Sequence, residues 1–389
     1  MKIGIDKISF NVPYTYIDMV DLANARDVDP NKYLIGIGQS EQAVAPITQD
    51  SVTLAANAAL NILDDEDREA VDMVLFATET AIDQSKSGAV YVHNLTDIQE
   101  NARSVELKQA CYSGTVAIQF AMGYIALHPG RKVLVLASDI ARYGLKTGGE
   151  ATQGAGAVAI LMSENPSVLE IESDHVALTE DIMDFWRPLN SDYAVVDGKF
   201  SNEAYIHFFE KVWNNYTEKT GRNFDDFEAI VFHTPYTKMG RKALTPRLEE
   251  YGSQETTDRL LDHYEASIIY NKRVGNIYTG SLYLSLISML EQDDSLKAGD
   301  RIGLFSYGSG AVGEFFSGIL VKGYEDALYK ESHEAQLANR KKLSIEEYEE
   351  VFEDSIPHDN SDKISDTADD PAKIVLEGVK DDKRIYSKR

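Results

Sequence analysis

Apolar residues in this chain gather in short continuous runs separated by longer helix-type stretches. Met1-Lys-Ile-Gly-Ile-Asp-Lys-Ile-Ser-Phe10 reads as a first strand, and Met73 to Phe76, Lys132 to Ser138, Glu228 to Phe232 and Arg301 to Ser306 read the same way. Because these runs lack polar alternation, their sheets must be covered on both faces, and the pattern predicts an α/β protein with helices packed on either side.

The runs come twice, about 155 residues apart. Asp72-Met-Val-Leu-Phe-Ala-Thr78 matches Glu228-Ala-Ile-Val-Phe-His-Thr234. Lys132-Val-Leu-Val-Leu-Ala-Ser138 with Gly154-Ala-Gly-Ala-Val158 matches Arg301-Ile-Gly-Leu-Phe-Ser306 with Gly308-Ser-Gly-Ala-Val312. Between the matches each half carries a helix opened by a small-residue turn, Cys111-Tyr-Ser-Gly-Thr-Val-Ala in one and Asn276-Ile-Tyr-Thr-Gly-Ser-Leu in the other. Two similar halves, residues 1–166 and 167–325, are therefore expected to sandwich their internal helices between two sheets in a layered αβαβα arrangement. A pseudo-twofold would bring the turns at Cys111 and Asn276 to a shared interior. Residues 326–389 break the pattern. They read as a charged peripheral helix and a surface-packed extension with one late apolar cluster, Ile374-Val-Leu376, and no catalytic role is expected of them.

The 389 residues suffice for a large core, and the hydrophobic fraction of 43% is ordinary for a globular protein. The opening strand leaves no room for a signal peptide and no run of about 18 apolar residues stands out, so a soluble cytosolic protein is expected. A single cysteine excludes an intramolecular disulfide and a cysteine-based zinc cluster. The formal net charge of −26 argues against nucleic acid or an anionic membrane as partner. It leaves room for an anionic small molecule, because Lys238, Arg241, Lys242 and Arg247 form a local basic cluster.

Cys111 sits ahead of an apolar helix, where the helix dipole favours thiolate and unpaired N–H groups can stabilise an oxyanion. Glu79 and His233 follow equivalent strands, and the carboxyl ends of strands are where α/β proteins build sites. Asn276 occupies the turn equivalent to Cys111. The glycine turn Ser306-Tyr-Gly-Ser-Gly-Ala311 should expose further N–H groups to an oxyanion beside the N–H of Cys111. Taken singly, each has an ordinary structural explanation: a core thiol, a solvated acid, a structural histidine, a turn asparagine. No nucleotide fingerprint or phosphate loop is found.

Together these motifs resemble the thiolase superfamily and, within it, the bacterial-type 3-hydroxy-3-methylglutaryl-CoA (HMG-CoA) synthases. The resemblance rests on Glu79 in Ala-Thr-Glu-Thr, Cys111 in Gln-Ala-Cys-Tyr-Ser-Gly and His233 in Phe-His-Thr-Pro-Tyr, with Val274-Gly-Asn276-Ile-Tyr-Thr-Gly280 and Phe305-Ser-Tyr-Gly-Ser-Gly310. It spans residues 1 to 325 and extends into the tail. It implies a thiolase-like fold and an acyltransferase that condenses acetyl-CoA with acetoacetyl-CoA and water to give HMG-CoA and CoA, on the mevalonate route to isoprenoids. Cys111 would carry the acetyl group, Glu79 would be the general acid/base, and His233 would hold the acetoacetyl carbonyl. Asn276 and Ser309 would contact the acyl group, with Tyr143, Asp184, Tyr278 and Tyr307 lining the pocket. Asp29, Thr152, Ser201, Lys238 and Lys242 would contact CoA. No metal or redox cofactor is implied, and a homodimer is. The loop Gly144-Leu-Lys-Thr-Gly-Gly-Glu150 departs from the animal enzymes, and the resemblance assigns no contact there.

Two other readings stay open on the residues. A ketoacyl synthase III type enzyme shares the Cys, His, Asn order but has no need of Glu79, and its acidic carrier protein would seek a basic docking surface, against which the chain's net charge argues. A silent scaffold of the same fold would have no reason to keep Glu79, Cys111 and His233 together. A degradative thiolase typically uses a second cysteine, which is absent.

Overall fold

The two sets of apolar runs become two sets of strands built on one plan. In the first, the spatial order is Arg103–Leu107, Val71–Ala77, Lys132–Ala141, Gly154–Glu164, Ile3–Asn11; in the second it is Ala229–Phe232, Arg301–Gly308, Val312–Leu320, Leu169–Thr179. The computed structural model describes residues 1–357, 359 and 361–389. Each set holds a parallel pair, then an antiparallel pair, then the opening strand of its half laid antiparallel beside it. Among the described residues the second set has no counterpart of the edge strand Arg103–Leu107. There the chain forms the short helix Asn271–Val274 and Gly275, which bridges to Gly154 of the first half.

The two expected sheets are not separate. Gly4 pairs with Glu170 and Ile5 with Leu169, so one ladder of nine strands runs through both sets. The short link after Glu164 is the cause. Asn165 N–H donates to the Lys2 carbonyl and Val168 N–H to that of Ile5, both at 2.9 Å, which lays the start of the second half against the first strand.

Three apolar clusters mark the layers. Helices Ser51–Leu60 and Gly88–Leu95 cover the outer face of the first set, packing Val52, Ala55 and Val92 on Val74, Phe76 and Leu134. Helices Gly198–Thr220, Met239–Tyr251 and Gln254–Ser267 cover the outer face of the second, packing Phe209, Trp213 and Leu244 near Phe232, Phe305 and Phe315. Between the sheets lie Ser113–Leu127 and Ser281–Gln292, whose Ile118, Ile125, Leu286 and Met289 join Val135 and Ile160 from one set and Val231 and Leu304 from the other. Each such side chain contributes about 1.5–3 kcal/mol on full burial, which is why the runs admit no polar alternation. The stretch Ala110–Leu127 does reach the length and apolarity of a membrane-crossing segment; here it forms the turn at Cys111 and the helix Ser113–Leu127 between the sheets.

The C-terminal segment differs from expectation. Two helices, Lys330–Ala338 and Ile345–Glu353, replace the single one, and the tail ends in a hairpin, Ile374–Lys380 with Lys383–Lys388. Ile374, Val375 and Leu376 are buried, and Asn57 pins Ile374 by donating to its carbonyl (2.8 Å) and accepting from its N–H (3.1 Å). His333 is equally integrated, stacking on Phe10 and bonding Ser9 Oγ at 2.7 Å and Glu291 at 2.8 Å. An isolated apolar triplet in a polar tail had to find a core, and the alanine-rich helix Ser51–Leu60 offers one.

Candidate active site

Beyond the strand Arg103–Leu107 the chain turns through Ala110, whose φ is 44°, and delivers Cys111 just before the helix Ser113–Leu127. Ser113 fixes the turn: its Oγ accepts from Gln109 N–H at 2.5 Å and donates to the Ala110 carbonyl at 2.9 Å. From the second half, Gly308 packs flat on this turn. A Cβ there would stand 2.5 Å from Tyr112 N and 2.7 Å from the Gln109 oxygen, so only glycine fits.

Glu79 lies two residues past the strand Val71–Ala77, and the Cys111 thiol donates to its Oε1 at 3.0 Å. Behind it Asp139, fully buried, accepts from the N–H groups of Glu79 (2.7 Å), Thr80 (3.0 Å) and Thr279 (3.0 Å) and from the hydroxyls of Thr78, Thr80 and Thr279. One carboxylate therefore ties the glutamate loop of the first half to the helix entry of the second. Burial and the nearby charge of Asp139 push Glu79 up to about 8, against the opposing pull of the Cys111 hydrogen bond and the Arg187 charge. Burial, Glu79 and Asp139 hold Cys111 well above the ordinary thiol range. The thiolate expected from the helix dipole is thus not the resting form. A dipole contributes about 0.3–1 kcal/mol at a helix end, less than desolvation costs a buried anion beside two carboxyl groups.

His233 follows the strand Ala229–Phe232 and is fixed through its backbone, the N–H on the Phe305 carbonyl (2.9 Å) and the carbonyl accepting from Tyr205 Oη (2.6 Å). Burial lowers it to about 3, so the imidazole is neutral and offers one donor and one acceptor. The Asn276 side-chain oxygen accepts from Tyr278 N–H and Ser281 Oγ, each at 2.9 Å, which leaves its NH₂ for the interior and the Tyr143 hydroxyl.

These groups meet in a cavity of about 590 Å³. Of the residues expected at the site, Cys111, His233, Asn276, Tyr143, Tyr278, Tyr307, Ser309, Thr152 and Ser201 are in its wall. Glu79 stands behind Cys111, reached through the thiol. Lys242 sits at the rim, donating to Tyr236 Oη at 3.0 Å, and Lys238 precedes the wall residue Met239. Asp29 is exposed, outside the wall, where it caps the N–H of Asn31.

Two expectations change. Asp184 does not line the pocket; it is fully buried behind the wall, accepting from Tyr307 Oη (2.9 Å), Ser201 Oγ (3.1 Å) and Gly310 N–H (2.9 Å). That bond, with Ala311 N–H donating to the Glu180 carbonyl at 2.8 Å, takes up glycine-turn donors expected to face an oxyanion. A buried carboxylate and a main-chain carbonyl nearby satisfy these donors.

Several wall residues gave no sequence signal. Thr147, Gly148 and Gly149 come from the loop to which no contact was assigned, and Phe185 and Val196 from a small hairpin, Phe185–Trp186 with Val195–Val196. Phe185, Tyr143 and Tyr278 meet edge to face with centroids 5.9–6.2 Å apart. Asp139 was within reach, being an acid at the end of an apolar run as Glu79 is.

Comparison with known proteins places this geometry. Residues 1–167 match the family described as hydroxymethylglutaryl-coenzyme A synthase N terminal, and residues 171–255 and 245–371 its C-terminal counterpart. The hydroxymethylglutaryl-CoA synthase of Enterococcus faecalis is 54% identical over 386 residues, covering 99% of this chain and 100% of its own. A crystal structure of HMG-CoA synthase complexed with CoA superposes with a TM-score of 0.97 at 44% identity, covering all of both chains. A structure of MvaS in complex with 3-hydroxy-3-methylglutaryl coenzyme A superposes at 0.92 with 35% identity, covering 100% of this chain and 99% of the other.

Proposed function

The chain belongs to the hydroxymethylglutaryl-CoA synthase family, and from that premise we propose how its own residues divide the condensation of acetyl-CoA, acetoacetyl-CoA and water into HMG-CoA and CoA. The observation that carries the reading is the 3.0 Å hydrogen bond from the Cys111 thiol to Glu79 at the floor of the cavity, with neutral His233 in its wall.

The sulfur of Cys111 attacks the acetyl carbonyl, the carbon–sulfur bond to CoA breaks, and the thiol proton passes to the departing sulfur, so that coenzyme A leaves as its thiol. With the thiol acylated, ionised Glu79 removes a methyl proton from acetyl-Cys111. The resulting carbanion bonds to the C3 ketone of acetoacetyl-CoA, and Glu79 returns the proton to the new oxyanion. His233 donates to the acetoacetyl carbonyl, a role its neutral imidazole suits, and Asn276 and Ser309 border the acyl group. Water then cleaves the Cys111 thioester, leaving a carboxylate on the product and the thiol on the protein. CoA thioesters are substrates and products, and no further cofactor is called for. Lys238 and Lys242 near the rim suit the CoA phosphates, whose negative charge the chain's overall balance would otherwise repel.

We read the protein as a cytosolic homodimer. Strand Arg103–Leu107 is an unpaired sheet edge, and Val105 on it and Phe120 and Leu127 on the adjoining helix are exposed, at 45%, 54% and 79%. Steady-state assay of pure protein with both CoA substrates tests the activity. Stoichiometric HMG-CoA and CoA are expected; product formed only from acetyl groups on a carrier protein would favour the carrier-dependent reading instead.

A further inference from the structure

Gln153 lies in no part of the cavity wall, yet two wall residues depend on it. Its side-chain oxygen accepts from the N–H of Tyr143 at 2.7 Å and of Gly144 at 3.1 Å. Its main chain leads into Gly154, where a Cβ would stand 2.6 Å from the Asn276 oxygen and 2.7 Å from its nitrogen, so the segment fits flush against Asn276. Gln153 is therefore wedged between the backbones that carry Tyr143 and Asn276, two residues that share the cavity wall with Cys111.

The other end of Gln153 is held from the C-terminal segment. Its amide nitrogen donates to the hydroxyl of Tyr348, on the helix Ile345–Glu353, at 3.1 Å, and that hydroxyl donates to Glu150 Oε1 at 3.3 Å. Glu150 accepts in turn from Arg26 through both Nε (3.0 Å) and Nη2 (2.9 Å) and from the N–H of Lys146 (2.8 Å). Arg26 is also paired with Glu349 of the same helix at 2.7 Å. Gln153, Tyr348 and Glu150 are all at least 97% buried, so each bond has no water to replace it and removing one leaves an orphaned polar group. The loop spanning Tyr143 to Thr152, which supplies five wall residues, is thus braced at its start by Gln153 and along its length by Glu150.

We propose that Gln153 is a positioning residue of the condensing site, and that Tyr348 holds it, so that the C-terminal helix sets the shape of the acyl pocket. The inference rests on the condensing reaction assigned above. Misplacing a wall by a fraction of an ångström affects a substrate that must be gripped along its length, while a small reagent that only needs to reach the sulfur is indifferent.

Cys111 is the only cysteine, so both arms of a test can be read on one thiol. Gln153→Leu keeps the volume and removes the hydrogen bonds; Tyr348→Phe removes only the hydroxyl. Acetylation of Cys111 by acetyl-CoA should slow by about 10-fold in Gln153→Leu, with KM for acetoacetyl-CoA raised, while alkylation by iodoacetamide stays within about 2-fold of the unsubstituted protein. Tyr348→Phe should shift the same quantities in the same direction by a smaller factor, and the double variant should be no worse than Gln153→Leu alone. Equal slowing of acetylation and alkylation, or unchanged acetylation, overturns the positioning role. Additive effects, or a silent Tyr348→Phe, overturn the part given to the helix. Failure of the unsubstituted protein to acetylate would instead overturn the assigned reaction, a distinct result.

Discussion

Replacing Glu79 by Gln separates the two steps of the reaction. Gln keeps the size of the side chain and an oxygen for the Cys111 thiol, but can neither accept nor return a proton. In the native protein burial and Asp139 raise Glu79 to about 8, so about a tenth is ionised at pH 7 and about nine-tenths at pH 9. Condensation of preformed acetyl-enzyme should therefore rise by at least about 10-fold between those pH values. Acetylation of Cys111 moves the midpoint further up, because the thiol hydrogen bond that pulls Glu79 down is lost. In Glu79→Gln the rate should fall about 100-fold and the rise with pH should vanish, while acetyl-enzyme still forms. Rapid mixing of acetyl-enzyme with acetoacetyl-CoA across pH 6 to 9.5, with quenched product measured by mass, reads both quantities. The same shift affects stability: the folded state holds the Glu79 proton more tightly than the unfolded chain, so stability present at acidic pH is lost as pH rises through about 8. Glu79→Gln should escape that loss, and its unfolding midpoint should gain on the native protein from pH 5 to 9. A native rate flat over this range, or a pH rise surviving in Glu79→Gln, would refute the assignment.

Asp139→Asn removes the negative neighbour behind Glu79 and should move the pH midpoint of condensation downward, as the same rapid-mixing series would record. His233→Ala should raise KM for acetoacetyl-CoA by about 10-fold or more while leaving Cys111 acetylation close to native, the loss of about 1.4 kcal/mol or more for a buried hydrogen bond to substrate; a loss confined to acetylation would contradict the role given to it. Ile374→Ala, at a buried position in the outer core, should cost about 2–5 kcal/mol by chemical denaturation and leave KM unchanged if the hairpin is structural.

Much of the fold was legible because its causes are local. Short continuous apolar runs bounded by turns suit strands covered on both faces, and their repetition gave the two strand sets and the helices at Cys111 and Asn276 their places. The joining of the sheets was not legible, since it depends on two residue pairs, Gly4–Glu170 and Ile5–Leu169, set by a link with no pattern of its own. The buried C-terminal hairpin escaped notice because three apolar residues in a polar tail do not say which helix they will cover. At the site, Cys111, Glu79 and His233 announced themselves by lying at helix starts and strand ends. Asp184 carried the right chemistry to the wrong side of the wall, since a sequence position fixes which element a carboxylate leaves from but not the donors that capture it. Gln153 and Tyr348 gave no signal at all: a glutamine and a tyrosine nearly 200 residues apart acquire meaning only when folding brings them within 3.1 Å.

The claim on which the mechanism turns is that Cys111 becomes acylated and Glu79 then drives carbon–carbon bond formation. Intact-mass measurement after mixing the protein with acetyl-CoA alone, followed by a chase with acetoacetyl-CoA, tests both halves at once. One acetyl group on the peptide containing Cys111, discharged by the chase in the native protein and retained in Glu79→Gln, is the expected result. No adduct on Cys111, or equal discharge in both proteins, would contradict it.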